Sequence, residues 1–186
     1  MKNSFYTISN ILSLIRLFLA IPFWFLLDGI KEGDSPLFLM LIVLLAIISD
    51  FLDGYFARKF NQISEMGKIL DPLADKICVA SITFKLYLIG FISPLFFYMI
   101  IGRDILIFLG GIYVSAKVKK VIPSNMLGKV TVTFIALVLV LITLKVSQEN
   151  LYFQTVYLLT MGMIVISLVA YGIRAIEILK GKHEII

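Results

Sequence analysis

The sequence is short of charge, of cysteine and of any alternation between polar and apolar residues. Asp, Glu, Lys and Arg make up only 16% of the 186 residues, against about 25% in an ordinary soluble domain. That scarcity excludes a water-facing surface over most of the chain, and no stretch is polar enough to form a soluble appendage. The one cysteine, Cys78, excludes an internal disulfide, and its apolar neighbours make it a packing residue. Without strict alternation, a transmembrane β-barrel is excluded as well. No repeat or low-complexity segment stands out.

What is present is apolar: 60% of residues are hydrophobic and the mean hydropathy is +1.02. The excess runs the whole length, so lipid must be the solvent for most side chains, and continuous apolar runs in lipid select helices. A span needs about 20 mostly apolar residues. Six segments qualify, at 8–27, 36–56, 70–89, 94–116, 127–146 and 152–178. The expectation is an all-α integral membrane bundle of six transmembrane helices, forming a single domain over 1–186. A secretory signal at the N-terminus is disfavoured, because the first apolar run is too long and no A-x-A-like site follows.

The net charge of +5 reads as topology rather than as affinity for nucleic acid, since no basic run is interleaved with aromatics. With the N-terminus inside, the cytoplasmic side collects Lys2, Arg58, Lys59, Lys68, Lys117, Lys119, Lys120, Lys180 and Lys182. The other side receives Lys31, Lys85 and Lys145, along with Asp28, Glu32 and Asp34. This asymmetry places both termini in the cytoplasm. The hexapeptide Glu149-Asn150-Leu151-Tyr152-Phe153-Gln154 matches a tag-protease recognition site, but it stands at a loop-to-helix boundary and is read as native.

Against this apolar background, four carboxylates cluster. The second segment ends Ser49-Asp50-Phe51-Leu52-Asp53-Gly54-Tyr55-Phe56-Ala57-Arg58, and eight residues later the third begins Gly67-Lys68-Ile69-Leu70-Asp71-Pro72-Leu73-Ala74-Asp75. Ionisable residues in a span are costly and mark function by default. On helices, Asp50 and Asp53 share a face, as do Gly67, Asp71 and Asp75. The short connection makes the two helices antiparallel neighbours, so two carboxylate pairs can converge between them. Converging like charges in low dielectric repel, and a divalent cation resolves the repulsion. All-oxygen ligands suit Mg²⁺, Mn²⁺ or Ca²⁺. Gly54, Ala57 and Gly67 remove bulk where a ligand could approach the backbone. Ion pairing to Arg58, Lys68 or Lys76 could account for one or two of the acids but not for four in register. A metal or proton transporter is the alternative of a different class, although its acids would sit nearer the midplane.

The stretch from Asp50 to Asp75 resembles the signature of the CDP-alcohol phosphatidyltransferases, D-x-x-D-G-x-x-A-R, eight residues, then G-x-x-x-D-x-x-x-D, with all eight defining positions present. The resemblance implies that Asp50, Asp53, Asp71 and Asp75 bind metal, as two Mg²⁺ or Mn²⁺ ions, and that Asp75 is also the general base. It implies that Gly54, Ala57, Arg58 and Gly67 hold the CDP moiety of CDP-diacylglycerol, that CMP leaves, and that the protein is a homodimer in the cell membrane with its active site facing the cytoplasm.

Further motifs bear on the acceptor. Asn10-Ile11-Leu12-Ser13-Leu14-Ile15-Arg16 is similar to the N-x-x-T-x-x-R pattern of phosphatidylglycerophosphate synthases, with Ser13 in place of Thr. Gly102-Arg103-Asp104 and Pro123-Ser124-Asn125-Met126-Leu127-Gly128-Lys129 resemble later elements of those enzymes and of cardiolipin synthases, although many glycerophosphate-using relatives have Arg-Glu where this chain has Arg103-Asp104. Glycerol-3-phosphate is a dianion and needs Arg or Lys. Arg103 and Lys129, placed toward the cytoplasmic side, and Arg16 are the available cations, each of which could instead be snorkelling to an interface. The expectation is glycerol-3-phosphate as acceptor, with cardiolipin synthesis from phosphatidylglycerol as the alternative.

Overall fold

The computed structural model describes residues 8–32, 35–59, 67–118 and 126–180. Within these, the side chains of 8–13, 16, 31–32, 50–51, 53–59 and 67–75 are outside the description. The described residues form six helices and no strand: α1 (Ile8–Glu32), α2 (Leu37–Lys59), α3 (Gly67–Leu88), α4 (Pro94–Val118), α5 (Met126–Thr143) and α6 (Leu151–Leu179). Each coincides with one segment expected from the sequence. Among the described residues, α4, α5 and α6 are long and apolar enough to cross a membrane, while shorter apolar stretches occupy Leu17–Ile30 of α1 and Leu37–Ser49 of α2. Phe18, Phe25, Leu45, Phe108 and Leu158 are exposed on these helices. Outward-facing apolar side chains of this size are what a lipid solvent rewards and water penalises.

The helix ends depart from expectation for local reasons. Asp28-Gly29-Ile30-Lys31-Glu32 reads as loop, yet α1 continues through Glu32. Ile30 extends the buried stripe of Phe23 and Leu27 at helical spacing, and Lys85 offsets the charge of Asp28. Conversely, α5 stops at Thr143 rather than running to 146. Lys145 takes a left-handed φ of 57°, and the Val146 amide turns back to the Leu141 carbonyl at 3.0 Å. The same closure ends α3, where Gly90 has φ 82° and the Phe91 amide donates to the Leu86 carbonyl at 2.9 Å. Both are Schellman-type caps, for which glycine is the usual left-handed residue. At the start of α6, Asn150 accepts from the Tyr152 amide at 2.8 Å, covering an otherwise orphaned donor.

The chain divides into two compact units, residues 1–91 with 143–145 and residues 92–142 with 146–186. In the first unit α1 packs against both α2 and α3. The C-terminal ends of α1 and α3 meet, because Lys85 Nζ lies 2.7 and 2.8 Å from the two carboxylate oxygens of Asp28. The same ammonium stands 5.1 Å from the centroid of the Trp24 ring, which also faces Phe84 at 6.0 Å. Buried ammonium groups require such pairing.

In the second unit α4 packs along α6. Their N-terminal ends meet where Ser93 Oγ and Tyr157 Oη are 2.9 Å apart and Phe96 lies against Tyr157 at 4.5 Å. Helix α5 runs antiparallel to α6, as Gly128 lies opposite Tyr171, Thr131 opposite Met163 and Phe134 opposite Thr160.

Candidate active site

Helix α2 is continuous through Lys59, so Asp50, Asp53, Gly54, Ala57 and Arg58 stand at i, i+3, i+4, i+7 and i+8 of one helix, the spacing of a single face. Helix α3 begins at Gly67, three residues earlier than expected. Its first turns therefore carry Gly67, Asp71 and Asp75 at i, i+4 and i+8, again one face. The signature is thus two helical stripes, one on each of two helices that share α1 as their packing partner. The side chains of all eight signature positions, and of Arg16 on α1, lie outside the described residues, as do residues 119–125. The donor set itself fits a divalent cation: four carboxylates supply oxygen only, which is what hard cations take. Among the residues whose side chains are described, no three His, Cys, Asp or Glu side chains gather into a metal-binding group.

The remaining candidate cations, Arg103 and Lys129, belong to the second unit. Arg103 lies nine residues after Pro94 in a helix of 25, near mid-helix, and its side chain is only 6% exposed. Each of its three guanidinium nitrogens has a partner. Nη1 pairs with Asp104, Nε donates to Ser167 Oγ at 3.3 Å and Nη2 donates to the Gly128 carbonyl at 3.4 Å. The arginine therefore ties α4 to both α5 and α6. Ser167 is itself fully buried and donates to the Ile164 carbonyl at 3.0 Å. Gly128 faces side chains from both α4 and α6. A Cβ there would lie 3.1 Å from Tyr171 Cε2 and 3.3 Å from Arg103 Nη2. Lys129, the next residue along, is exposed.

The sequence reading singled out Arg103, Gly128 and Lys129 but missed Ser167 and Tyr171. The signal for them was faint: a serine and a tyrosine four residues apart in an apolar run, on one helical face. It also missed that Lys85 and Asp28 form a pair, although it placed both on the same side.

Comparison with known proteins bears directly on the two-stripe signature. The model of the CDP-alcohol phosphatidyltransferase family matches residues 6–171. A CDP-diacylglycerol–glycerol-3-phosphate 3-phosphatidyltransferase of Aquifex aeolicus is 38% identical over 78% of this chain and 78% of its own length. One of the same name from Rickettsia typhi is 31% identical over 92% of this chain and 90% of its own. A CMP-forming cardiolipin synthase of Rattus norvegicus is 31% identical over 95% of this chain and 65% of its own. Since the family pattern extends through all six helices, and its signature falls as one stripe on α2 and one on α3, this chain belongs to the CDP-alcohol phosphatidyltransferase family.

Proposed function

We propose that the protein transfers the phosphatidyl group of CDP-diacylglycerol to sn-glycerol-3-phosphate, releasing phosphatidylglycerophosphate and CMP. The observation that carries this reading is the match to enzymes of that name over 78% and 92% of the chain, which takes in the whole signature. Asp50, Asp53, Asp71 and Asp75 hold the metal, read as two Mg²⁺ or Mn²⁺ ions. When bound, the metal neutralises the pyrophosphate and withdraws electrons from the phosphorus under attack. Gly54, Ala57 and Gly67 leave room for the CDP moiety and Arg58 binds its phosphate. Asp75 accepts the proton of the acceptor hydroxyl as that oxygen bonds to the phosphorus bearing the diacylglycerol. The bond from this phosphorus to the CMP oxygen breaks, and CMP leaves with the electron pair. Lys129, with Arg16 and Arg103 as the other candidate cations, recognises the phosphate of the acceptor.

The setting follows the same reading. The six helices are six spans of one domain over 1–186, with both termini and the metal-binding ends of α2 and α3 at the cytoplasmic face of the cell membrane, and the functional unit is a homodimer. The cation distribution supports the orientation. A second acceptor, phosphatidylglycerol, is favoured by the match to the cardiolipin synthase over 95% of the chain.

Purified protein given CDP-diacylglycerol and a panel of acceptors tests these readings by CMP release. Release should depend on glycerol-3-phosphate, vanish in EDTA and return with Mg²⁺ or Mn²⁺. Release with phosphatidylglycerol but not with glycerol-3-phosphate would move the assignment to cardiolipin synthesis. Full activity in chelator would end the metal mechanism. Ion flux in sealed vesicles without CMP release would replace the enzyme by a transporter.

A further inference from the structure

We propose that the C-terminal end of α4 is a docking surface for one anionic phospholipid of the surrounding membrane: Lys117 takes its phosphate and a notch at Gly110 admits an acyl chain. The surface uses none of the residues assigned to phosphatidyl transfer and does not depend on that reaction; only the leaflet it faces, the cytoplasmic one, rests on the orientation read from charge. Leu106, Gly110, Tyr113 and Lys117 stand at i, i+4, i+7 and i+11 of α4, the spacing of one helical face. Leu106 and Tyr113 are 56% and 55% exposed, and Lys117 is exposed as well. A Cβ added at Gly110 would meet nothing within 4 Å, so the stripe is open between the leucine and the tyrosine. It rises about 16 Å along the helix. That is the share of one leaflet in a hydrocarbon core roughly 30 Å thick, so a single lipid matches its length.

Charge selects the kind of lipid. Lys117 Nζ stands 4.9 Å from the centroid of the Tyr113 ring. A ring face holds an ammonium in place without neutralising it, and tyrosine is at home where acyl chains give way to headgroups. Among the described residues no carboxylate pairs with this lysine. The sequence adds Lys119 and Lys120 next to it, and holds no Asp or Glu between Asp104 and Glu149. Topology and the helix dipole each account for a lysine at this end of a helix. Neither accounts for an unneutralised one fixed by an aromatic ring above an open notch on a lipid-facing stripe. An anionic headgroup supplies the missing counter-charge, which a zwitterionic headgroup largely cancels with its own cation.

Native mass spectrometry of the full-length protein, released from micelles with equal amounts of phosphatidylserine and phosphatidylcholine, tests this. Phosphatidylserine is the probe because it is anionic yet neither donor nor acceptor in the proposed reaction. The wild-type protein should retain phosphatidylserine in preference to phosphatidylcholine. Lys117→Gln should lower that preference by about fivefold, the worth of one lysine at an anionic surface, and Lys117→Arg should keep it. Gly110→Leu, which fills the notch without touching charge, should lower phosphatidylserine retention by at least about twofold. Tyr113→Leu, which frees the ammonium from its ring, should also lower it and serves if Gly110→Leu fails to fold. Lys180→Gln, at the matching end of α6, should leave the preference unaltered. Equal retention of the two lipids by the wild-type protein would overturn the proposal. Equal losses in Lys117→Gln and Lys180→Gln would overturn it in favour of a diffuse surface potential. Displacement of the retained phosphatidylserine by CDP-diacylglycerol would place that lipid in the active site and overturn it as well.

Discussion

The pair between Lys85 and Asp28 is asymmetric, and the asymmetry fixes how its two halves respond to mutation. The lysine side chain is 11% exposed and the aspartate 52%. Replacing Asp28 by Ala strands an ammonium in a buried position, with the Trp24 face 5.1 Å away as its remaining partner among the described residues. Replacing Lys85 by Met keeps an apolar stem and a sulfur against that ring, and leaves a carboxylate that water already reaches. Breaking a buried pair by removing one partner costs about 3–5 kcal/mol when the charge left behind is buried, so Asp28→Ala belongs near the lower end of that range. Loss of a partner from an exposed charge costs about 0–1 kcal/mol, so Lys85→Met belongs there. At about 2–4 °C per kcal/mol for a chain of this size, Asp28→Ala should lower Tm by about 6–12 °C and Lys85→Met by less than about 4 °C. Thermal unfolding in one detergent, with the double variant Asp28→Ala/Lys85→Met recovering most of the loss, is the assay. Equal losses, or the larger loss in Lys85→Met, would refute the argument from burial.

Three other outcomes are expected. Asp75→Asn should lower turnover by on the order of 10²–10⁴-fold while CDP-diacylglycerol still binds, whereas Asp53→Asn should weaken metal and nucleotide binding as well. Metal-dependent affinity measured beside CMP release separates them, and near-normal turnover of Asp75→Asn would remove it as the base. In a Cys78→Ala background, Ser35→Cys, exposed just before α2, should react with an impermeant thiol reagent from outside intact cells. Labelling of Lys117→Cys instead would invert the orientation. Finally, the tag-removal protease that reads Glu149–Gln154 should leave the folded protein intact and cut it only after unfolding. Leu151 to Gln154 form the first turn of α6, Phe153 is buried and the Gln154 amide is bonded to the Asn150 carbonyl at 3.0 Å, while proteases cut exposed, locally opened segments. Cleavage of the native protein would show that this turn opens freely.

The six helices were legible because apolar runs of spanning length leave little choice of backbone. The helical stripes of the signature were legible because their spacing is that of one face. Helix ends were less so. Nothing in the residues 28–32 announces that a lysine 57 positions away will offset Asp28, and this partner helps carry α1 past its apparent loop. Lys145 was equally opaque, since a lysine with positive φ gives no glycine signal. Arg103 reads as a cation in an apolar run, which fits a ligand contact and a structural tie alike. Only the burial of the guanidinium and the partners on α5 and α6 distinguish the two, and these depend on how three helices pack, not on spacing along one.

Seven hydroxyls of these helices, buried and exposed, share a habit that bears on how the chain is made. Thr83, Thr131 and Thr160 each approach the carbonyl four residues earlier on their own helix, at 2.7 Å, and Thr133 and Thr155 do the same at 3.1 and 2.8 Å. Ser49 and Ser167 turn back to the carbonyl three residues earlier. Each hydroxyl hydrogen thus has an acceptor before any second helix arrives. A newly synthesised segment can enter lipid with these donors already covered, without waiting for a partner as it would with an asparagine or glutamine side chain. The contacts of Thr131 with Met163 and of Thr160 with Phe134 then belong to a later step, in which helices already inserted find one another.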